Sequence, residues 1–235
     1  VLVVIALMCP GSAVLADVIT DWDQKGIDIA VPRMPSTHSQ RIVAIMHAAM
    51  FDAVNSIERR YQPYIAQLPA SPTTSKDAAA AAAAATVLAK LLPGAEDELK
   101  DALAAYLTKL PDAEGKSDGI KLGLAVAGKV LEARANDGAD APDAYRPKTA
   151  PGVYVPTPIT VASMWPNVTP FALKSPSQFR PEPPLPLASA QWATDYNEIK
   201  DFGGKASTRR SARQTEDARF WLVTGPPAYH PIARQ

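Results

Sequence analysis

Cysteine is almost missing from this sequence: Cys9 is the single one in 235 residues, and nothing after it can form a disulfide. Thiolate nucleophiles and cysteine-ligated metals or clusters are excluded from the rest of the chain for the same reason. An excess of charge is missing too, since Lys plus Arg and Asp plus Glu each number 24. That balance removes the global electrostatic case for nucleic acid or an anionic membrane as partner. Histidine is scarce. His38, His47 and His230 show no His-x-x-x-His or His-x-x-Glu spacing, so no zinc or iron site is expected from this chain alone. A Gly-rich phosphate loop and a Gly-x-Ser-x-Gly nucleophile elbow are likewise absent.

What is present begins with an uninterrupted apolar run at residues 1–8, too short to span a bilayer. Cys9-Pro10-Gly11-Ser12 follows, then Ala13-Val14-Leu15-Ala16, with Val14 and Ala16 as the −3 and −1 residues of a cleavage site. This pattern predicts a secretory signal peptide over residues 1–16, lacking its initiator Met and basic start, and a secreted or periplasmic mature chain. A buried N-terminal helix is the alternative, which Pro10-Gly11 would break. A lipoprotein reading of Cys9 is disfavoured by bulky Met8. Export without any cysteine suits a bacterial periplasmic protein large enough to need no covalent staples.

Residues 17–138 read as a helical bundle with short connections and no run alternating at period two. The first helix spans 21–31, with Trp22, Ile27 and Ile29 apolar, Asp21 or Thr20 as cap and Pro32 as stop. Ser36 or Thr37 opens the second, where Ile42, Ile45, Met46, Ala49, Met50, Ala53, Val54 and Ile57 follow the 3.6-residue period. Thr74 or Ser75 caps the third, which carries alanine at every position from 78 to 85 and stops at Pro93-Gly94. Alanine combines the highest helix propensity with the smallest side chain, so neighbours can approach this helix closely. The fourth covers 95–110, with Leu99, Leu103, Tyr106 and Leu110 on one side and Glu96 and Asp97 suiting its dipole. A fifth follows Pro111-Asp112 with Ile120, Leu124, Ala127 and Leu131 as its predicted stripe. Gly119, Gly123 and Gly128 predict close packing, and Asn136-Asp137-Gly138 a C-cap.

Composition then shifts. Twelve prolines fall between 141 and 186, with Tyr145, Tyr154, Trp165, Phe171 and Phe179 among them. Flexible linkers are poor in aromatics, so residues 139–187 are expected to form a long ordered loop wrapped over the helical body. Helix returns at 189–202, with Trp192, Tyr196 and Ile199 on one face. A seventh helix begins at Thr208 or Ser211, runs through Trp221 and closes at Gly225-Pro226-Pro227. The fold class is therefore all-α: a helical bundle with a Pro-rich loop, cut before its core is completed. Residues 188–235 read as the first helices of a second, catalytic half, and apolar faces of the 189–221 helix pair are expected to be exposed.

Few residues carry a chemical signal. His47, Phe51 and Asn55 form one helical edge, with Asp52 beside Asn55. They read as a polar cluster serving a neighbouring cavity or, preferably, His47 and Asn55 read as ties from this helix to the Pro-rich loop. Asp137, Asp140 and Asp143 resemble the start of a calcium loop without its glycine and glutamate, and read as a solvated helix exit. Arg209, Arg210 and Arg213 stand at a helix start, where an anion contact competes with an ordinary solvated basic turn.

Residues 41–55, Arg-Ile-Val-Ala-Ile-Met-His-Ala-Ala-Met-Phe-Asp-Ala-Val-Asn, and 145–156, Tyr-Arg-Pro-Lys-Thr-Ala-Pro-Gly-Val-Tyr-Val-Pro, carry a resemblance. With Trp165, the string 171–181 and the segments 203–208 and 220–221, they resemble the N-terminal part of bacterial vanadium-dependent haloperoxidase-like proteins. These belong to the type 2 phosphatidic acid phosphatase superfamily, and the likeness covers residues 17–235. It implies an all-α enzyme that holds vanadate, or phosphate in the phosphatases, through Lys-x6-Arg-Pro, Pro-Ser-Gly-His and Ser-Arg-x5-His motifs. Cationic donors around an oxyanion plus a nitrogen ligand meet that chemical need. None of the three motifs is in this sequence. Lys174 and Arg180-Pro181 are separated by five residues rather than six, and Pro176-Ser177 continues into Gln178-Phe179. No catalytic, cofactor-binding or metal residue is therefore assigned to any position here.

The resemblance implies the N-terminal part of an exported vanadate-dependent haloperoxidase-like enzyme that oxidises halide with hydrogen peroxide, its motifs lying further along the chain. Vanadate is expected as cofactor of that whole enzyme, and this segment alone is expected to bind none and to be inactive. An acid phosphatase of the same superfamily, working through a phosphohistidine, is one alternative, and a non-catalytic helical binding or scaffold protein is another. The expected partners are small molecules (halide, peroxide or phosphoester), with no nucleic acid and no transmembrane span, and with homo-oligomerisation left open.

Overall fold

A computed structural model describes residues 17–111, 115–156, 160 and 162–222. Among them the chain is all-α, with seven α-helices, one 3-10 turn at Trp165–Asn167 and no strand. The helices are α1 (Val18–Ala30), α2 (Ser36–Glu58), α3 (Lys76–Leu91), α4 (Glu96–Lys109), α5 (Lys116–Arg134), α6 (Ala190–Phe202) and α7 (Ala212–Trp221). None of the described helices is long and apolar enough to cross a membrane. The expected signal peptide and the closing Gly225-Pro226-Pro227 lie outside the described residues.

The chain divides into two compact units, Val1–Met34 with Arg41–Glu132, and Pro35–Gln40 with Ala133–Gln235. The first is built around α3. All eight alanines from 78 to 85 are buried, as are Val87 and Leu88. A helix hydrophobic on every side has to be enclosed on every side. α1 and α4 pack against it. α5 approaches more closely still: a Cβ added to Gly119 would sit 2.5 Å from the Ser75 carbonyl oxygen, and one on Gly123 would sit 2.3 Å from that of Ala79. These distances admit no side chain, so the two backbones are in direct contact. Around this axis lie buried Trp22, Ile27 and Ile29 of α1 and Ile42, Ile45, Met46, Ala49, Met50, Ala53 and Ile57 of α2.

Those contacts correct the predicted stripe of α5. Besides Arg134 at its end, the buried residues are Gly119, Leu122, Gly123, Val126, Ala127 and Val130. Of the predicted stripe Ala127 is among them, Ile120 and Leu131 are half-buried, and Leu124 is 47% exposed. Backbone proximity to α3 selects the glycine edge as the inner face and turns Leu124 out. Gly128 meets nothing within 4 Å and takes no part in the packing. α1 also starts earlier than expected, because Asp17 rather than Asp21 caps it in a capping box with Thr20. Ser75 caps α3, Ser189 caps α6 and Ser211 forms a capping box with Gln214 at α7.

The second unit holds the Pro-rich stretch, α6 and α7. Its anchor is the ion pair of Arg134 with Asp137, 2.7 Å apart and buried on both sides. Arg134 also donates to the carbonyls of Thr169 and Pro170 and lies 4.0 Å from the Phe171 ring centroid. Asp137 is thus a buried anchor, not the solvated helix exit expected from the sequence. Gly138, at φ +94°, turns the chain out of α5. Further on, Asp143 accepts from the amides of Ala162 and Ser163 and from the Ser163 hydroxyl. These bonds hold its carboxyl below the usual carboxylate range. α6 and α7 bury no residue.

Candidate functional site

The polar residues of α2 separate into two groups. Asp52, Asn55 and Ser56 are buried within an otherwise apolar face. Asp52 accepts from three consecutive amides, Tyr64 at 2.7 Å and Ile65 and Ala66 at 2.8 Å. Ser56 takes the amide of Leu68 at 3.0 Å. Asn55 accepts from the amides of Arg60 and Tyr61 and donates to the Tyr61 carbonyl. Together they staple the segment 59–68 to α2. Asn55 is therefore a tie, as preferred from the sequence, but to this neighbouring segment and not to the Pro-rich loop.

His47 belongs to the other group. Its Nε2 lies 2.8 Å from Asp23 Oδ1 of α1, a carboxylate that is itself buried. A carboxylate acceptor keeps a proton on Nε2 and fixes the ring, leaving Nδ1 as the nitrogen open to a ligand. The pair joins α1 to α2, which again corrects the expected link to the Pro-rich loop. Beside it is a cavity of about 520 Å3 lined by Asp17, Val18, Ile19, His47, Met50, Phe51, Val54, Lys76 and Asp77. Lys76 is ion-paired with Glu58 and holds that carboxyl below its ordinary range. Sequence spacing could not reveal the partner of His47, since Asp23 lies on another helix.

The remaining candidates do not assemble a site. His38 packs its ring 5.8 Å from Trp165, and His230 lies outside the described residues. Arg210 donates to the carbonyl of Phe202 and to Thr215, tying the end of α6 to α7, while Arg209 and Arg213 are exposed. Lys174 and Arg180 stand exposed in the Pro-rich stretch. Among the described residues no group of three or more His, Cys, Asp or Glu side chains could hold a metal ion. Vanadate needs several cationic donors converging with a histidine nitrogen, and neither Lys174, Arg180 nor the described histidines provide that arrangement. The described residues do not fit it. Comparison with protein-family models, curated proteins and solved structures found no match to the chain.

Proposed function

We propose that this chain forms the N-terminal, outer part of an exported all-α enzyme of the vanadium-dependent haloperoxidase type, oxidising halide with hydrogen peroxide. The likeness of residues 41–55 and 145–156 to that family motivates the reading. The observation that carries it is the surface of α6 and α7. Tyr196, Ile199, Phe220 and Trp221 are 53%, 70%, 61% and 67% exposed. Large apolar side chains exposed on both helices are what a further layer of protein would cover. On this reading that layer brings the lysine, arginine and histidine motifs, and the present residues shape its support.

The test is to express the complete reading frame beside residues 17–235 alone. The complete protein is expected to carry the three motifs and to oxidise bromide with peroxide only after vanadate is added. Residues 17–235 are expected to show no turnover above blank. Phosphate release that vanadate inhibits would assign the phosphatase chemistry instead. A reading frame without the motifs would sink the enzyme reading and favour a helical binding protein.

A further inference from the structure

The cavity beside His47 takes no part in the oxyanion reading, and its chemistry points to a different ligand. Its walls are hydrocarbon, from Val18 and Ile19 of α1 and Met50, Phe51 and Val54 of α2. Its one lysine, Lys76, is already answered by Glu58, and the imidazole of His47 is bonded through Nε2 to Asp23. Asp17 and Asp77 line the same space, and among the described residues neither is ion-paired. The N-termini of α1 and α3 open nearby, but their caps occupy them: Asp17 accepts from the Thr20 amide and Ser75 from the Ala78 amide. Each helix end contributes roughly half a positive charge, so against both ends the two carboxylates leave about one negative charge in excess. Their field reaches Tyr106, whose hydroxyl is pushed up to about 12 by burial and then by Asp77, Asp21 and Asp17.

We propose that this cavity binds a small organic cation, an alkyl- or arylalkylammonium. Its hydrocarbon part lies against Met50, Phe51 and Val54, and its ammonium among Asp17, Asp77 and the free ring nitrogen of His47. An anion would face both carboxylates. A neutral apolar ligand would strip water from them with no compensating charge. A bare metal ion would gain nothing from the hydrocarbon walls. An organic cation satisfies both halves, and the face of Phe51 adds a cation–π contribution where the charge passes over it.

Calorimetric titration of the whole chain with three probes of similar shape tests this: 2-phenylethylammonium, 2-phenylethanol and 3-phenylpropionate. The ammonium is expected to saturate a single site, with the alcohol and the carboxylate at least about tenfold weaker. Asp77→Asn, at an exposed position and with its fold checked by circular dichroism, is expected to weaken the ammonium about tenfold. Val54→Trp, which fills the space, is expected to abolish binding. Equal affinity for the three probes, no saturation by the ammonium, or an Asp77→Asn protein that binds unchanged would overturn the proposal. Because none of these readouts depends on turnover, failure of the haloperoxidase reading leaves the result interpretable.

Discussion

Asp52 holds three backbone amides with one side chain, so its removal strands three donors at once. Leaving a buried donor unsatisfied costs about 1–3 kcal/mol. Asp52→Ala is therefore expected to destabilise the first unit by about 3 kcal/mol or more, read as a lowered midpoint in urea. Asp52→Asn keeps one acceptor oxygen and is expected to cost less; equal loss in both variants would show that negative charge, not bond count, matters. Tyr106 gives a second measurement at this scale. Its hydroxyl, raised from the ordinary 10 to about 12, favours the protonated form in the fold. The associated stability is fully present below about pH 10 and is lost as pH rises towards 12. Absorbance titration is expected to show one late-ionising phenol that Tyr106→Phe removes. The sequence made part of this visible. Asp52 and Asn55 are polar residues on a helix that otherwise buries Ala49, Ala53 and Ile57, which marks them as partnered, while Ser56 was not singled out. Their partners were hidden, because amides carry no sequence signature, and Asp23 meets His47 across two helices.

For the helices, existence was easy to read and facing was not. The alanine run, the serine caps and the period of α2 fix where helices form. α5 shows the limit: a hydrophobic stripe through Leu124 and Leu131 competes with an edge of glycines, and close approach of two backbones wins. Gly123→Ala puts a Cβ 2.3 Å from the Ala79 oxygen and 2.9 Å from the Ala82 Cβ. Overpacking of this kind costs about 1–3 kcal/mol or more, and a fall in thermal midpoint is expected. Gly128→Ala lies on the same helix with nothing within 4 Å. There alanine is expected to stabilise by about 0.5–1 kcal/mol. Opposite signs from one substitution type on one helix test the facing directly; two losses would show that Gly128 also faces protein.

At the scale of the whole molecule the two units differ in how they are held. The first has a buried apolar core, while the helices of the second bury no residue: Ile199, Phe220 and Trp221 are exposed and Trp192 stacks on Tyr196. A hydrophobic dye is expected to bind the isolated chain, and Ile199→Glu with Trp221→Glu is expected to reduce that binding without moving the thermal midpoint. A large drop in midpoint would mean that these residues already support the fold. In the first unit the eight-alanine stretch of α3 has the opposite character, being the least varied in composition and the most confined. A one-residue insertion there would pass unnoticed as composition, yet it would turn everything beyond it by about 100° and advance it by about 1.5 Å. Val87 and Leu88, now fully buried, would rotate out of the core together. The monotonous run thus works as a length gauge, in which the number of alanines matters more than any one of them.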